Sequence, residues 1–224
     1  MSFWRVMSPS TRPVSAAGSG GAVRVAPVLL TQYYGRGTTA MPIDAPAQVP
    51  GALMIVGAYR FSANSPAIPA PAGWTTLHAG YSGAGSGAAS WFWKFYEASD
   101  GASLNIDALA NANVFTFQSF SGADTSSPVQ SFAHAAKTDY TSDFTFPAIV
   151  GEEAGLPFAQ SYVRNTAAAA VHADMTSTSY ATSNYSRPFI GAAAAGASFA
   201  AYNIPSWSHS NVFGCVGVVR GALQ

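Results

Sequence analysis

Residues 50–61 read PGALMIVGAYRF: a turn dipeptide, then a near-continuous apolar run ended by SANSPAIPAPAG. Eight residues of this kind are too few for a buried helix. They suit a central β-strand covered on both faces. Residues 90–98, SWFWKFYEA, repeat the message with alternation. Trp91, Trp93 and Phe95 fall on one face of a strand, and Phe92, Lys94 and Tyr96 on the other. Both faces are rich in aromatics, so a sheet covered on both sides would make Trp91, Phe92 and Trp93 all core. DGAS, at 100–103, then reads as a turn.

Further strands are predicted outward from these two. They lie at Val23–Tyr34, Val114–Phe120, Phe144–Phe146, Leu156–Val163, Phe199–Ile204 and Val212–Val219. Pro147 marks the third of these as an edge or an ending, and Pro157 weakens the fourth. Short aromatic or β-branched runs at this spacing define an all-β fold: a single β-sandwich, jelly-roll-like, with little helix. Residues 23–224 form that sandwich domain, and residues 1–22 an N-terminal arm joined through the Ser/Gly/Ala stretch 15–21. Phe3 and Trp4 have no local apolar partner and are the assembly anchors of that arm. Helix is predicted for at most a turn or two, within Thr166–Met175 and the run GAAAAGASF at 191–199. One faint internal echo stands out. VPGALMIVGAYRFSANSPA and GEEAGLPFAQSYVRNTAAA share a Gly-containing turn, an apolar strand, an Arg and a small-residue loop, a layout that either related sheets or chance could produce.

Composition bounds the function. The chain has 224 residues, 10 basic and 10 acidic, with net charge zero. A monomer of this mass exposes about 9,700 Å2, or about one charge per 480 Å2, against about one per 170 Å2 for an average composition. Such a surface excludes a basic nucleic-acid binder and an acidic tail protein. It fits a chain that works packed against copies of itself or other proteins. The single cysteine, Cys215, cannot form an internal disulfide and sits in VFGCVGVV, the setting of a buried thiol. The N-terminus lacks the apolar core of a signal peptide, and no stretch supplies the 20 or so apolar residues of a membrane-spanning helix.

Catalytic chemistry is not legible. There is no G-x-S-x-G elbow. The four histidines, His78, His134, His172 and His209, are scattered without ligand spacing, so neither a metal site nor a cofactor is predicted. GAGSGA at 83–88 matches a dinucleotide-loop pattern but leads into a strand rather than a helix. Glu152 and Glu153 read as a turn. Asp139 and Asp143 sit too far apart along an extended segment, about 13 Å, to share one bond or one metal. Trp74, after PAPAG, reads as a core residue opening a strand. The loops offer the candidates for contact: Tyr81 in GYSGAGSG, Tyr180 and Tyr185 in TSTSYATSNYSRP, and Trp207 and His209 in IPSWSHSN. Tyr, Ser, Asn and Gly make adaptable neutral surfaces suited to a glycan or a partner subunit.

The order PGALMIVGAY, PAGW, ASWFWKFYEASDGAS and FTFQSFSGAD resembles the recurring β-sandwich domain of bacteriophage virion proteins and gene-transfer-agent particles. In that family a P-G-D-L-L strand precedes P-x-G-W, an apolar strand ending A-D-G-S, and a strand closing in Y-R-G-V-D. The matching stretches are Pro50–Tyr59, Pro71–Trp74, Trp91–Ser103 and Phe115–Asp124, and VFGCVGVVRGAL is similar to the family's last strand. Ala52 stands where the family has an acid, and Ser121 where it has Arg. The resemblance runs over Ala45–Leu223, with its firm motifs between Pro50 and Asp124. It implies a non-enzymatic tail, fibre or capsid-surface component, assembled in the bacterial cytoplasm. Its partners would be other virion proteins, copies of itself and, through the outward loops, host-surface polysaccharide, with no nucleic acid or membrane insertion. Two other readings remain open: a free carbohydrate-binding module and a glycan-degrading enzyme.

Overall fold

The computed structural model describes residues 22–36, 40–43, 47–60, 67–82, 87–105, 112, 114–137, 143–163, 175–179, 187–204 and 212–224. Among these, fourteen strands form two five-stranded antiparallel sheets and two small ladders. The first sheet holds β1 (Val28–Arg36), β3 (Leu53–Arg60), β4 (Thr75–Ser82), β5 (Gly87–Phe95) and β7 (Val114–Ser121), ordered β1-β7-β3-β5-β4. Beside it β2 (Ala40–Pro42) pairs with β6 (Ser103–Asn105). The second sheet holds β8 (Val129–Lys137), β10 (Gly155–Val163), β11 (Thr176–Ser179), β12 (Arg187–Ala192) and β14 (Val212–Arg220), ordered β8-β14-β10-β12-β11. Its companion ladder joins β9 (Phe144–Phe146) to β13 (Tyr202–Ile204). The protein is an all-β sandwich. Like a jelly roll it sets two antiparallel sheets over a shared core, but each sheet is drawn from one half of the chain.

The two halves are repeats of one unit. Numbered within its own half, each five-stranded sheet has the order 1-5-2-4-3 when strands of the small ladder are left out. Each small ladder joins the segment after the first strand to the segment before the last. Register agrees residue by residue. Leu53, Ile55, Gly57 and Tyr59 face Phe120, Gln118, Thr116 and Val114 on β7. Leu156, Phe158, Gln160 and Tyr162 face Val219, Gly217, Cys215 and Phe213 on β14. The other neighbours match too: Trp93 and Trp91 on β5 take the places of Ala192 and Ile190 on β12. Even the entry turns coincide. Val49–Ala52 and Glu152–Gly155 each close through a backbone hydrogen bond of 2.8 Å, with positive φ at Gly51 and Ala154. Both opening strands, β1 and β8, carry an irregularity against their partner, the second with Ser131 at positive φ. The faint sequence echo therefore falls on β3 and β10, the central strands of the two sheets.

Three apolar layers result. Leu53, Ile55, Trp91, Phe120, Phe158, Tyr162, Phe213 and Cys215 fill the space between the sheets. On the outer face of the first sheet, Met54, Val56, Phe92, Phe115 and Phe117 pack under Ile43, Ala47, Ile68 and Trp74. On the outer face of the second, Val212, Val216 and Val218 pack under Phe144, Phe146, Ile149 and Met175. Trp74 and Met175 occupy equivalent places, each just before the edge strand of its repeat. Each sheet thus has both faces covered, which is why β3 and β14 read as unbroken apolar runs.

The inter-sheet layer is not wholly apolar. Gln160 donates across the gap to the Ile55 carbonyl (3.4 Å) and to Gln118 Oε1 (3.1 Å). Gln118 donates back to the Gly191 carbonyl (3.0 Å) and to Gln32 (3.3 Å). Thr116 donates to Gln160 Oε1 at 2.9 Å, and the Tyr59 hydroxyl lies 3.4 Å from Thr116 Oγ1. Tyr59 stacks on Tyr162 with ring centroids 5.3 Å apart, so equivalent residues of the two repeats meet face to face. Gly57 is required here: a Cβ on it would lie 2.8 Å from Gln160 Oε1 and 2.5 Å from Thr116 Oγ1.

Two expectations are corrected. The run GAAAAGASF forms no helix. Gly191 and Ala192 finish β12, and Gly196 turns the chain with φ of 77°. The companion stretch 166–174 lies outside the described residues. Pro157 sits inside a central strand. Its carbonyl accepts from Ala193, just past the end of β12, so its missing N–H also faces that side, where β12 has stopped.

Two outcomes test this architecture. Gln118→Leu or Gln160→Leu alone should destabilise the protein by about 1–3 kcal/mol, because the remaining amide loses its hydrogen bond to the other in a dry layer. The double variant should lose less than the sum, measured by urea unfolding. Second, Gln224 hydrogen-bonds to Val23, and Arg24 bridges Leu223, so the ends of the two repeats already pair as a hairpin lacking its turn. A circular permutant joining Gln224 to Val23 through Asn-Gly, and opened between Thr125 and Ser126, should keep its β circular-dichroism spectrum and cooperative unfolding. Loss of either would refute the equivalence of the two joints.

Candidate functional site

The loop residues proposed for contact cannot be placed together. Tyr81 falls in β4 opposite Ala88. Tyr180, Tyr185, Trp207 and His209 lie outside the described residues, as do Phe3 and Trp4 of the arm. The aromatic candidates that are described turn out to be packing groups. Trp91 is 1% exposed in the inter-sheet layer, Trp93 packs against the same layer, and Phe92 points into the outer one.

The chemically distinctive feature lies elsewhere, on one open side of the sandwich. There β4, an edge of the first sheet, approaches β8, an edge of the second. A crevice of about 90 Å3 between them is lined by His78, Gly80, Ala89, Trp91, His134, Ala135, Ala136 and Phe213. His78 and His134 stack across it with ring centroids 3.4 Å apart and planes 23° apart. Trp91 forms the floor, 6.1 Å from the His78 ring and 6.4 Å from His134, and Phe132 closes it edge-on at 6.1 Å from Trp91. No sequence signal marks this pair, since the histidines stand 56 positions apart and meet only because two sheet edges meet.

Local structure explains the placement. β4 carries a register shift between Thr76 and His78, an extra residue opposite β5 that turns the His78 ring toward the gap. Gly80 is held close beneath it, where a Cβ would come within 2.3 Å of His78 Nε2. On β8, His134 is paired with Cys215 of β14. In the other repeat the same two register positions hold Thr178 and Tyr34, so the imidazole pair belongs to one side of the sandwich only.

The electrostatics favour neutral rings. Partial burial pushes the proton affinity of both histidines down, and for His78 the neighbouring His134 pushes it further. Behind them, burial raises Cys215 and Tyr59, so the thiol and phenol stay protonated. The Trp91 indole N–H lies toward the Tyr59 hydroxyl without a hydrogen bond of good geometry. Two near-parallel imidazoles aim their in-plane lone pairs side by side rather than at one point, so the stack as it stands is not a chelate. No group of three or more His, Cys, Asp or Glu side chains positioned to hold a metal occurs among the described residues. No carboxylate lines the crevice.

The charges cluster at the end of the sandwich where β3 and β10 begin. Arg24 donates at 2.6 Å to Asp124 and at 2.6 Å to the Gly221 carbonyl, tying the entering chain to both repeat ends. Arg24, followed by Ser126 and Ser127, holds the Asp124 carboxyl well below the usual range. Lys94 pairs with Asp100 at 2.5 Å, and Arg220 with Glu152 at 3.7 Å.

No family model matches the chain, and no curated protein or solved structure is significantly similar to it. No described helix is long and apolar enough to cross a membrane.

Cys215 gives the direct check on this region. It is fully buried behind the crevice. In native buffer at pH 8 it should react with a thiol-specific chromogen at least about 100-fold more slowly than in 6 M urea, since neither access nor thiolate is available. Fast native labelling would mean that the β4/β8 side does not close over it.

Proposed function

We propose that the protein is a non-enzymatic building block of a larger assembly, a structural or adhesion component of a phage or phage-like particle. The observation that carries this reading is an apolar rim where the termini of the two repeats meet. Val23, Val25, Val28 and Leu223 are 69%, 42%, 59% and 55% exposed. They flank the short ladder that closes the chain, next to the segment bearing Phe3 and Trp4. An apolar rim of this kind, whose Arg24 is already paired with Asp124, favours burial against a neighbour. The motif resemblance to virion β-sandwich domains supplies the setting, and the sandwich fold is compatible with it. The described ion pairs support the same reading, because they are spent within the chain and leave the strand faces neutral.

Part of the charge shortage has an internal cause. β14, uncharged up to its last residue, Arg220, is buried on both faces between β10 and β8 and is not a partner surface. The rim and the N-terminal arm therefore bear the proposal alone.

The test is a mass measurement in solution by light scattering. The full chain should form oligomers at micromolar concentration. Val23→Ser/Val25→Ser/Leu223→Ser, or deletion of residues 1–22, should shift it toward monomer without changing its unfolding midpoint by more than a few degrees. A stable monomer in every case would overturn the assembly reading. A monomer retained on a polysaccharide array would point to the free carbohydrate-binding module instead, and release of reducing ends from a polysaccharide to an enzyme.

A further inference from the structure

The stacked histidines join two edges that no backbone ladder joins. β4 and β8 belong to different sheets, so the side between them is closed only by side chains: His78 on His134, with Trp91, Phe132 and Phe213 behind. We propose that the His78–His134 stack is an acid-operated latch, closed while both rings are neutral and opened on protonation, when β4 and β8 part and uncover the aromatic floor of the crevice.

Geometry sets double protonation against the closed state. Two positive rings at 3.4 Å repel enough to weaken the second proton about tenfold even at the permittivity of water, and more in a partly buried crevice. Among the described residues, no group lining the crevice offsets that repulsion. β5 contributes Ala89 and Trp91, β8 contributes Phe132, Ala135 and Ala136, and β14 contributes Phe213, with the buried thiol of Cys215 in register with His134. Tyr59 stands behind Trp91. Thiol and phenol are both neutral across the relevant range. No carboxylate lines the crevice. The opposite side of the sandwich is the internal control, since it bears Tyr34 and Thr178 at the same register positions.

The direction follows from linkage. Both histidines bind protons more weakly folded than unfolded, where the reference value is about 6.5. The contribution of the closed stack is therefore full above about pH 6.5 and is lost as the pH falls through the lower folded values. Acid loss of the Asp124–Arg24 clamp belongs to a much lower pH window, because that carboxyl lies well below its usual range.

The experiment is amide hydrogen exchange on the full chain between pH 8 and 5, corrected for intrinsic rates, with fluorescence of an apolar dye in parallel. Exchange in β4 and β8 should rise at least about tenfold below pH 6, while β1 and β11 stay unchanged, and dye emission should rise with it. His134→Phe keeps an aromatic ring in the stack without a proton site and should abolish the change. His78→Gln is the second variant should the first not fold, and it carries the same expectation. Constant protection of β4 and β8 down to pH 5 would overturn the latch. So would an equal rise on both sides of the sandwich, or a pH response that survives in His78→Gln.

Discussion

The reciprocal glutamine clasp is the constraint on which the sandwich depends. Gln160 of the second sheet reaches the backbone of β3, and Gln118 of the first reaches the backbone of β12. Both amides are fully buried. An apolar interface between two sheets tolerates sliding, because burial is non-directional. Two amides that each need a named carbonyl on the opposite sheet do not, since a slip of one residue would orphan them in a dry layer. The clasp therefore selects one alignment of the repeats, and that alignment alone brings β4 beside β8 and stacks the two histidines.

A twofold arrangement of repeats demands complementarity, not identity, near its axis. Two copies of Gln160 facing each other would collide, so the equivalent position on β3 is Gly57, and the space it leaves receives the amide. Trp91 is matched by Ile190 and Thr116 by Cys215. Only planar rings can meet as equals there, and Tyr59 and Tyr162 do. Divergence at these positions is thus a packing requirement of the fused pair. It is also the source of the one-sided chemistry: where the repeats differ, one open side carries imidazoles, and the same register positions on the other hold Tyr34 and Thr178.

This divergence explains what could be read from the sequence. β3, β5, β7 and β14 were legible because both their faces are covered, and continuous apolar or aromatic runs have few other uses. β4 (TTLHAGYS) and β8 (VQSFAHAAK) were not, because edge strands keep polar and small residues and lose the period-two signal. β12 was hidden by the alanines that follow it, which have helix propensity but no apolar stripe to bury. The internal repeat is marked in the sequence only by an echo between β3 and β10, since their turn and tyrosine match while their partners differ. The histidine pair had no local signature at all: it exists through the meeting of two sheet edges, which sequence spacing does not encode.

The scarcity of charge acquires a structural meaning from the same architecture. A sandwich with bare outer faces needs a polar residue at every second strand position. Here each outer face is roofed, one by Ile43, Ala47, Ile68 and Trp74 and the other by β9 and β13. That removes most positions where a charge would be useful. The ion pairs that remain are placed at one end, where Arg24, Asp124 and Arg220 meet the joints between the repeats. There a charged hydrogen bond closes a seam that burial alone leaves frayed. The ion pairs Arg24–Asp124 and Arg220–Glu152 mark where the repeats are fastened, and the apolar rim beside that fastening is where a neighbouring chain would have least water to displace from polar groups.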